Sequence, residues 1–153
     1  MTDIKTTLND HIVGLAHIGH IVDDLKAAIA SFQHIYGVGD DAVFVTPPFD
    51  VTTETRFAFI DVGATKFELI EPISDHFKDL LLNAPSGGGG INHVAYEVRD
   101  IESALVSLKA ISIHPGYVTP DGIVDLGHKK MVYLDPATTG GIYIELIEIV
   151  TSP

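Results

Sequence analysis

His17-Ile18-Gly19-His20-Ile21-Val22-Asp23-Asp24-Leu25-Lys26-Ala27-Ala28-Ile29 returns 76 residues later as His93-Val94-Ala95-Tyr96-Glu97-Val98-Arg99-Asp100-Ile101-Glu102-Ser103-Ala104-Leu105. The echo continues downstream. Arg56-Phe57-Ala58-Phe59-Ile60-Asp61 is matched by Lys130-Met131-Val132-Tyr133-Leu134-Asp135, and Phe67-Glu68-Leu69-Ile70-Glu71 by Ile144-Glu145-Leu146-Ile147-Glu148. Self-similarity at a fixed spacing marks a repeated structural unit. Each copy places one histidine early and one glutamate late, inside stretches that are otherwise apolar. His17, Glu68, His93 and Glu145 therefore occupy equivalent positions and can converge on one pseudo-symmetric centre.

Around the repeat, periodicity fixes the elements. Leu15 to Val22 predicts a buried strand. Asp23 or Asp24 suits a helix N-cap, because a short carboxylate accepts bonds from first-turn amides. Leu25, Ala28, Ile29 and Phe32 follow at helical spacing, and Gly37 suits the C-cap. Val43 to Val45 predicts a short strand; Thr55 to Val62 and Thr65 to Glu71 predict a hairpin about Gly63. Asp75 to Asn83 predicts a short linking helix. Ser86-Gly87-Gly88-Gly89-Gly90 then punctuates the chain, having too little side chain to pack. The second copy restarts with a strand at Ile91 to Val98, a cap at Asp100 and a helix to about Ala110. Strands follow near Met131 to Leu134 and Ile142 to Val150. Each copy reads β-α-β-β-β, with the first strand of its last three the weakest. Residues 1 to about 13 read as a polar arm.

The expected fold class is α+β: two paired βαβββ modules, residues 14–73 and 90–150, joined by the glycine-rich linker. They form one domain over residues 1–153, since halves of this size bury too little surface to stand alone. Their curved sheets are expected to present one cleft.

Composition narrows the chemistry. The chain of 153 residues contains no cysteine, so a metal must be held by nitrogen and oxygen. Its net charge of −12 would repel nucleic acid and anionic membranes. No apolar run approaches the ~20 residues of a membrane span, and Met1 to Lys5 does not read as a secretory signal. A cytoplasmic protein acting on a small molecule is the expectation, with no nucleic acid and no membrane as partner.

A histidine in an apolar strand is more often a hydrogen-bonded core residue than a ligand, and His20, whose repeat partner is Tyr96, is read that way. A glutamate in such a strand is costlier, since an unpaired buried charge must neutralise or find a cation. Repetition of the whole His/Glu set favours one divalent metal: Co, Zn, Ni, Mn or Fe on ligand type alone. Glu71 and Glu148 are expected on the opposite strand face, at the surface. His128, Lys129 and Lys130 form one of few basic spots and are the candidate contacts for an anionic substrate group.

These motifs are where the chain resembles the vicinal oxygen chelate superfamily of glyoxalases, bleomycin resistance proteins and dioxygenases. Ala16-His17-Ile18-Gly19, Phe67-Glu68-Leu69-Ile70-Glu71-Pro72, Ile91-Asn92-His93-Val94 and above all Pro136-Ala137-Thr138-Thr139-Gly140-Gly141 ahead of Glu145 are most similar to the methylmalonyl-CoA epimerase family. The resemblance implies the vicinal oxygen chelate fold, a homodimer, a metal bound by His17, Glu68, His93 and Glu145, and an acyl-CoA substrate. It also implies α-proton abstraction to a metal-stabilised enolate, with Glu145 and Glu68 as the catalytic pair and Glu54 in reserve. The chain departs from the epimerase pattern at Val51-Thr52-Thr53-Glu54-Thr55, where Pro-Glu-Gln-Gly is usual. It departs again at Asp135-Pro136-Ala137, where His-Pro-Lys is common, and Asp121 and Asp125 add negative charge. A glyoxalase I-like isomerase or lyase, or a non-catalytic resistance-type binding protein, therefore stays open.

Overall fold

In the computed structural model, residues 6–151 are described; the expected arm therefore lies partly outside the described residues. Contacts divide the chain into His17–His93 and the remainder, Met1–Ala16 with Val94–Pro153. Both divisions fall inside strands that carry a site histidine at the cut.

The first module is strand β1 (Ile12–Ile21), helix α2 (Leu25–Tyr36), and strands β2 (Val43–Thr46), β3 (Thr55–Val62) and β4 (Thr65–Pro72). Asp24 is the N-cap of α2, its carboxylate accepting from Ala27 N at 3.0 Å. Gly37 ends the helix at φ 67, a left-handed conformation that a Cβ would penalise. Strand order is β2-β3-β4-β1, antiparallel except for the parallel β1–β4 pair. Alternation along β3 and β4 sends Ala58, Ile60 and Leu69 under α2, where they pack with Leu25. The opposite face receives Phe59 and Glu68, which are directly paired. Helix α3 (Asp75–Leu82) follows, capped by Ser74, and its Leu81 packs on Ile21 and Ile70.

The second module repeats the plan with strand β5 (Gly90–Val98), helix α4 (Ile101–Lys109), and strands β6 (Val124–Asp125), β7 (Lys129–Tyr133) and β8 (Ile144–Ile149). Its ladder runs β5-β8-β7-β6, with β5 and β8 parallel. Val132 and Leu146 pack beneath Ala104 and Leu108 of α4. The weak strand of this copy is indeed the shortest, two residues. Asp100 caps α4 through Ser103 N.

The arm differs from the expectation where it is described. Leu8–His11 forms one helical turn, α1, and β1 starts at Ile12, earlier than the apolar pattern alone suggests. Leu8 and Ile12 pack into the α4 core, and Arg99 N bonds the His11 carbonyl. Tertiary contacts, not local pattern, extend the strand. No helix among the described residues is long and apolar enough to cross a membrane.

Candidate metal centre

The parallel register sets the site. In the first module Glu68 of β4 lies opposite Gly19 of β1, two residues beyond His17. Side chains two apart on a strand share a face, so His17 and Glu68 look the same way. In the second module Glu145 of β8 lies opposite Ala95 of β5, two residues beyond His93. The repeat read from sequence is thus a repeat of register.

Within His17–His93 three ligating side chains meet. His17 Nε2 lies 3.0 Å from His93 Nε2, and Glu68 Oε2 lies 3.1 Å from the first and 3.3 Å from the second. All three residues are buried. The Asn92 side-chain carbonyl, 2.8 Å from His93 Nδ1, is placed to accept a hydrogen bond there and orients the ring with Nε2 toward Glu68 and His17. The Phe59 ring packs edge-on against His17 at 5.9 Å and shields one side. Burial pushes the Glu68 carboxyl up, but hydrogen bonds from His17 and then His93 outweigh it and hold its pKa down at about 2.

These donors fit a divalent metal. Ligands bonded at about 2.0–2.1 Å in a tetrahedral arrangement stand roughly 3.3 Å apart, the spacing the three atoms already show. One ionised oxygen and two imidazole nitrogens, dry and converging, are a group able to hold an ion. Zn, Co, Ni, Mn and Fe all accept that set.

Glu145 is buried to 3 % exposure on β8. Its face is shared with Tyr133, its register partner, and with Ile147. Tyr143 precedes it by two residues, its ring tilted against Tyr133 at 5.0 Å and edge-on to Tyr117 at 5.4 Å. Burial, then Tyr117 and more weakly Glu145, push the Tyr143 phenol far above its usual range.

The basic spot divides. Lys129 alternates onto the face that carries Tyr133 and Glu145, whereas Lys130 pairs with Glu148 on the α4 face and bonds Glu102 at 2.8 Å. His128 is exposed, and its carbonyl accepts from Val150 N. Glu71 and Glu148 are on the opposite face as expected, but half-buried and not simply solvated. Glu71 faces Arg56 across the ladder, and Glu148 Oε2 accepts from Ile101 N at the start of α4. The nearby trio Asp100, Glu102 and Glu148 is thereby occupied in capping and pairing. His20 lies on the α2 face, edge-on to Phe32, a packing residue. Glu54 is exposed just ahead of β3.

Residue-level reading overlooked Gly19 and Asn92. A Cβ on Gly19 would come 2.1 Å from His93 Cε1. The small residue two places after each histidine, Gly19 and Ala95, was the available signal. Asn92 had none, since Ala16 stands at its repeat position.

The sequence profile of the Glyoxalase/Bleomycin resistance protein/Dioxygenase superfamily matches residues 16–132. The chain belongs to this superfamily. Among relatives, the ethylmalonyl-CoA/methylmalonyl-CoA epimerase of Cereibacter sphaeroides is 30 % identical over 137 residues, covering 88 % of this chain and 97 % of that protein. The mitochondrial methylmalonyl-CoA epimerase of Mus musculus is 26 % identical over 132 residues, 86 % of this chain and 71 % of its own. Methylmalonyl-CoA epimerase from Mycobacterium tuberculosis shares the fold, with a TM-score of 0.69 and 22 % identity over 98 % of this chain and 95 % of that one. Membership of the superfamily accounts for the doubled βαβββ plan.

Proposed function

We propose that the protein is a metal-dependent epimerase of the methylmalonyl-CoA type, an isomerase acting on a small acyl-CoA. The observation that carries this is the buried His17–Glu68–His93 group, in a chain 30 % identical to an epimerase of ethylmalonyl-CoA and methylmalonyl-CoA. Glu145 is the fourth ligand of the proposed site, on its equivalence to Glu68 in both sequence and register. A divalent ion held there would supply Lewis-acid polarisation of a substrate oxygen.

Epimerisation needs one group to remove the α-proton and another to return it on the opposite face. Glu145 and Glu68 are the proposed pair. The aromatic surroundings of each, Tyr133 and Tyr143 for Glu145 and Phe59 for Glu68, exclude water. Exclusion of water strengthens every electrostatic interaction at the reacting centre. Asn92 keeps His93 in one orientation. Lys129, on the face of Glu145, is the better of the basic residues for an anionic substrate group, with His128 at its flank. Lys130 is committed to Glu102.

A glyoxalase I-like isomerase is the second reading. Ala137 stands where a lysine is common, and Lys130 is tied to Glu102, so few cations are left for coenzyme A phosphates. Both reactions move one proton next to a carbonyl. The cysteine-free composition suits the cytoplasm, and exposed Val13 and Leu15 on β1 support a homodimer. The test is solvent deuterium exchange: metal-loaded protein should label the α-carbon of methylmalonyl-CoA. Labelling of none, together with conversion of a glutathione hemithioacetal, transfers the assignment to the second reading.

A further inference from the structure

Among the described residues, two that are not glycine take a positive φ, Ser112 at 63° and Tyr117 at 61°. Ser112 lies just beyond α4 and closes it, Ile113 N bonding back to the Leu108 carbonyl, an ordinary use of that conformation. Tyr117 ends no helix. Gly116 stands next to it, yet the bulkier residue carries the left-handed angle that a Cβ penalises.

Such an angle persists in an aromatic residue only where the surroundings hold it. Here they hold it from both sides. Gly116 N bonds the Tyr133 carbonyl at 3.1 Å, and Asp135 N bonds the His114 carbonyl at 2.8 Å. A Cβ on Gly116 would come 2.6 Å from Asp135 Cβ, so the segment lies flush against the strand end. Beyond Tyr117, the hydroxyl of buried Thr119 accepts from Tyr133 N at 2.8 Å and donates to the Tyr133 carbonyl at 3.1 Å. Tyr133 is the register partner of Glu145. Residues 114–119 are thus fastened to β7 at the residue that faces Glu145.

The fastening delivers a ring. Tyr117 stands edge-on to Tyr143 at 5.4 Å and 89°, while Tyr143 leans on Tyr133 at 5.0 Å and 33°. Tyr143 prolongs β8 backwards, its carbonyl accepting from Val94 N, and so shares the face of Glu145 two residues on. The Glu145 charge bears on the Tyr143 phenol, which puts the two groups near one another. Tyr133 and Tyr143 are buried, and half-buried Tyr117 is the outermost of the three.

We infer that Tyr117 is a positioning residue for Glu145: held at a strained angle, its ring braces Tyr143 and so fixes the wall beside the Glu145 carboxylate. The inference rests on the epimerase reading, in which Glu145 handles the proton. No proton passes through Tyr117. A base displaced by about 1 Å loses up to about 10²-fold in rate, and substrate binding need not change with it.

The experiment compares metal-saturated Tyr117→Asn and Tyr117→Phe with wild type. Asparagine tolerates the left-handed angle, so the backbone should stay in place while the ring is lost. Phenylalanine keeps the ring and lacks only the phenol. In solvent deuterium exchange with methylmalonyl-CoA, Tyr117→Asn should lose about tenfold or more in kcat with KM changed less than about twofold. Tyr117→Phe should stay within about threefold of wild type. An undiminished rate in Tyr117→Asn, an equal loss in both variants, a rise in KM in place of the fall in kcat, or collapse of the fold in Tyr117→Asn overturns the inference.

Nuclear magnetic resonance of ring-labelled tyrosine reads the brace without turnover. The two edges of the Tyr143 ring should give separate signals in wild type and Tyr117→Phe, and should merge in Tyr117→Asn as the ring turns freely. Unchanged Tyr143 signals in Tyr117→Asn overturn the brace even where the rate falls. A wild type that labels no thioester removes the epimerase reading, and the ring signals then decide the brace alone.

Discussion

Gly19 lies so close to His93 that a methyl group in place of its hydrogen would come 2.1 Å from Cε1 of the imidazole. The ring can be where it is only because residue 19 has no side chain. Gly19→Ala should therefore displace His93, costing about 1–3 kcal/mol as overpacking does in a filled interior. It should also lower metal affinity, by contrast with Gly14→Ala, whose added Cβ would meet nothing within 4 Å. Chemical denaturation and metal titration of the two variants check this.

The two lysines of the basic spot should behave differently. Lys129 shares a strand face with Glu145, and Lys130 is bonded to Glu102. Lys129→Ala should raise KM for an anionic substrate by more than Lys130→Ala does. Equal effects would mean that the register assigns the wrong lysine.

Asp100 gives a pH dependence with a definite sign. The hydrogen bond it accepts from Ser103 N holds its carboxyl below the usual carboxylate range in the folded state. A carboxylate depressed on folding contributes stability that is fully present above its unfolded pKa and is lost as pH falls through the folded value. The stability gap between wild type and Asp100→Ala should be constant near neutrality and close below about pH 3.8. Denaturation midpoints across that range measure it.

Much of this arrangement was legible in the residues. The hairpin about Gly63 and the Asp24 and Gly37 caps follow from local chemistry, and the paired His and Glu follow from repetition. Faces were legible too, because alternation in a strand leaves no freedom once Glu68 is assigned. What escaped was non-local. The α1 turn and the early start of β1 depend on Leu8 and Ile12 meeting the α4 core. Lys130 looked available until α4 brought Glu102 beside it, and Asn92 gained meaning only when His93 was seen to need a fixed orientation.

His93→Ala removes one of three converging donors and leaves Glu68 and His17 paired, so bound metal should fall from one equivalent to near none. Elemental analysis of protein purified without chelator reads this directly. A full equivalent in the variant would place the ion elsewhere.

The central claim is proton exchange next to an acyl-CoA carbonyl by the two glutamates. Its most direct measurement is deuterium incorporation at the α-carbon of methylmalonyl-CoA in heavy water, with metal-saturated wild type and Glu145→Gln. Wild type should label the carbon during turnover. Glu145→Gln should be slower by about 10²–10⁴, since an amide cannot take the proton. Unlabelled product from a protein carrying one equivalent of metal, or undiminished labelling by the variant, would contradict the account.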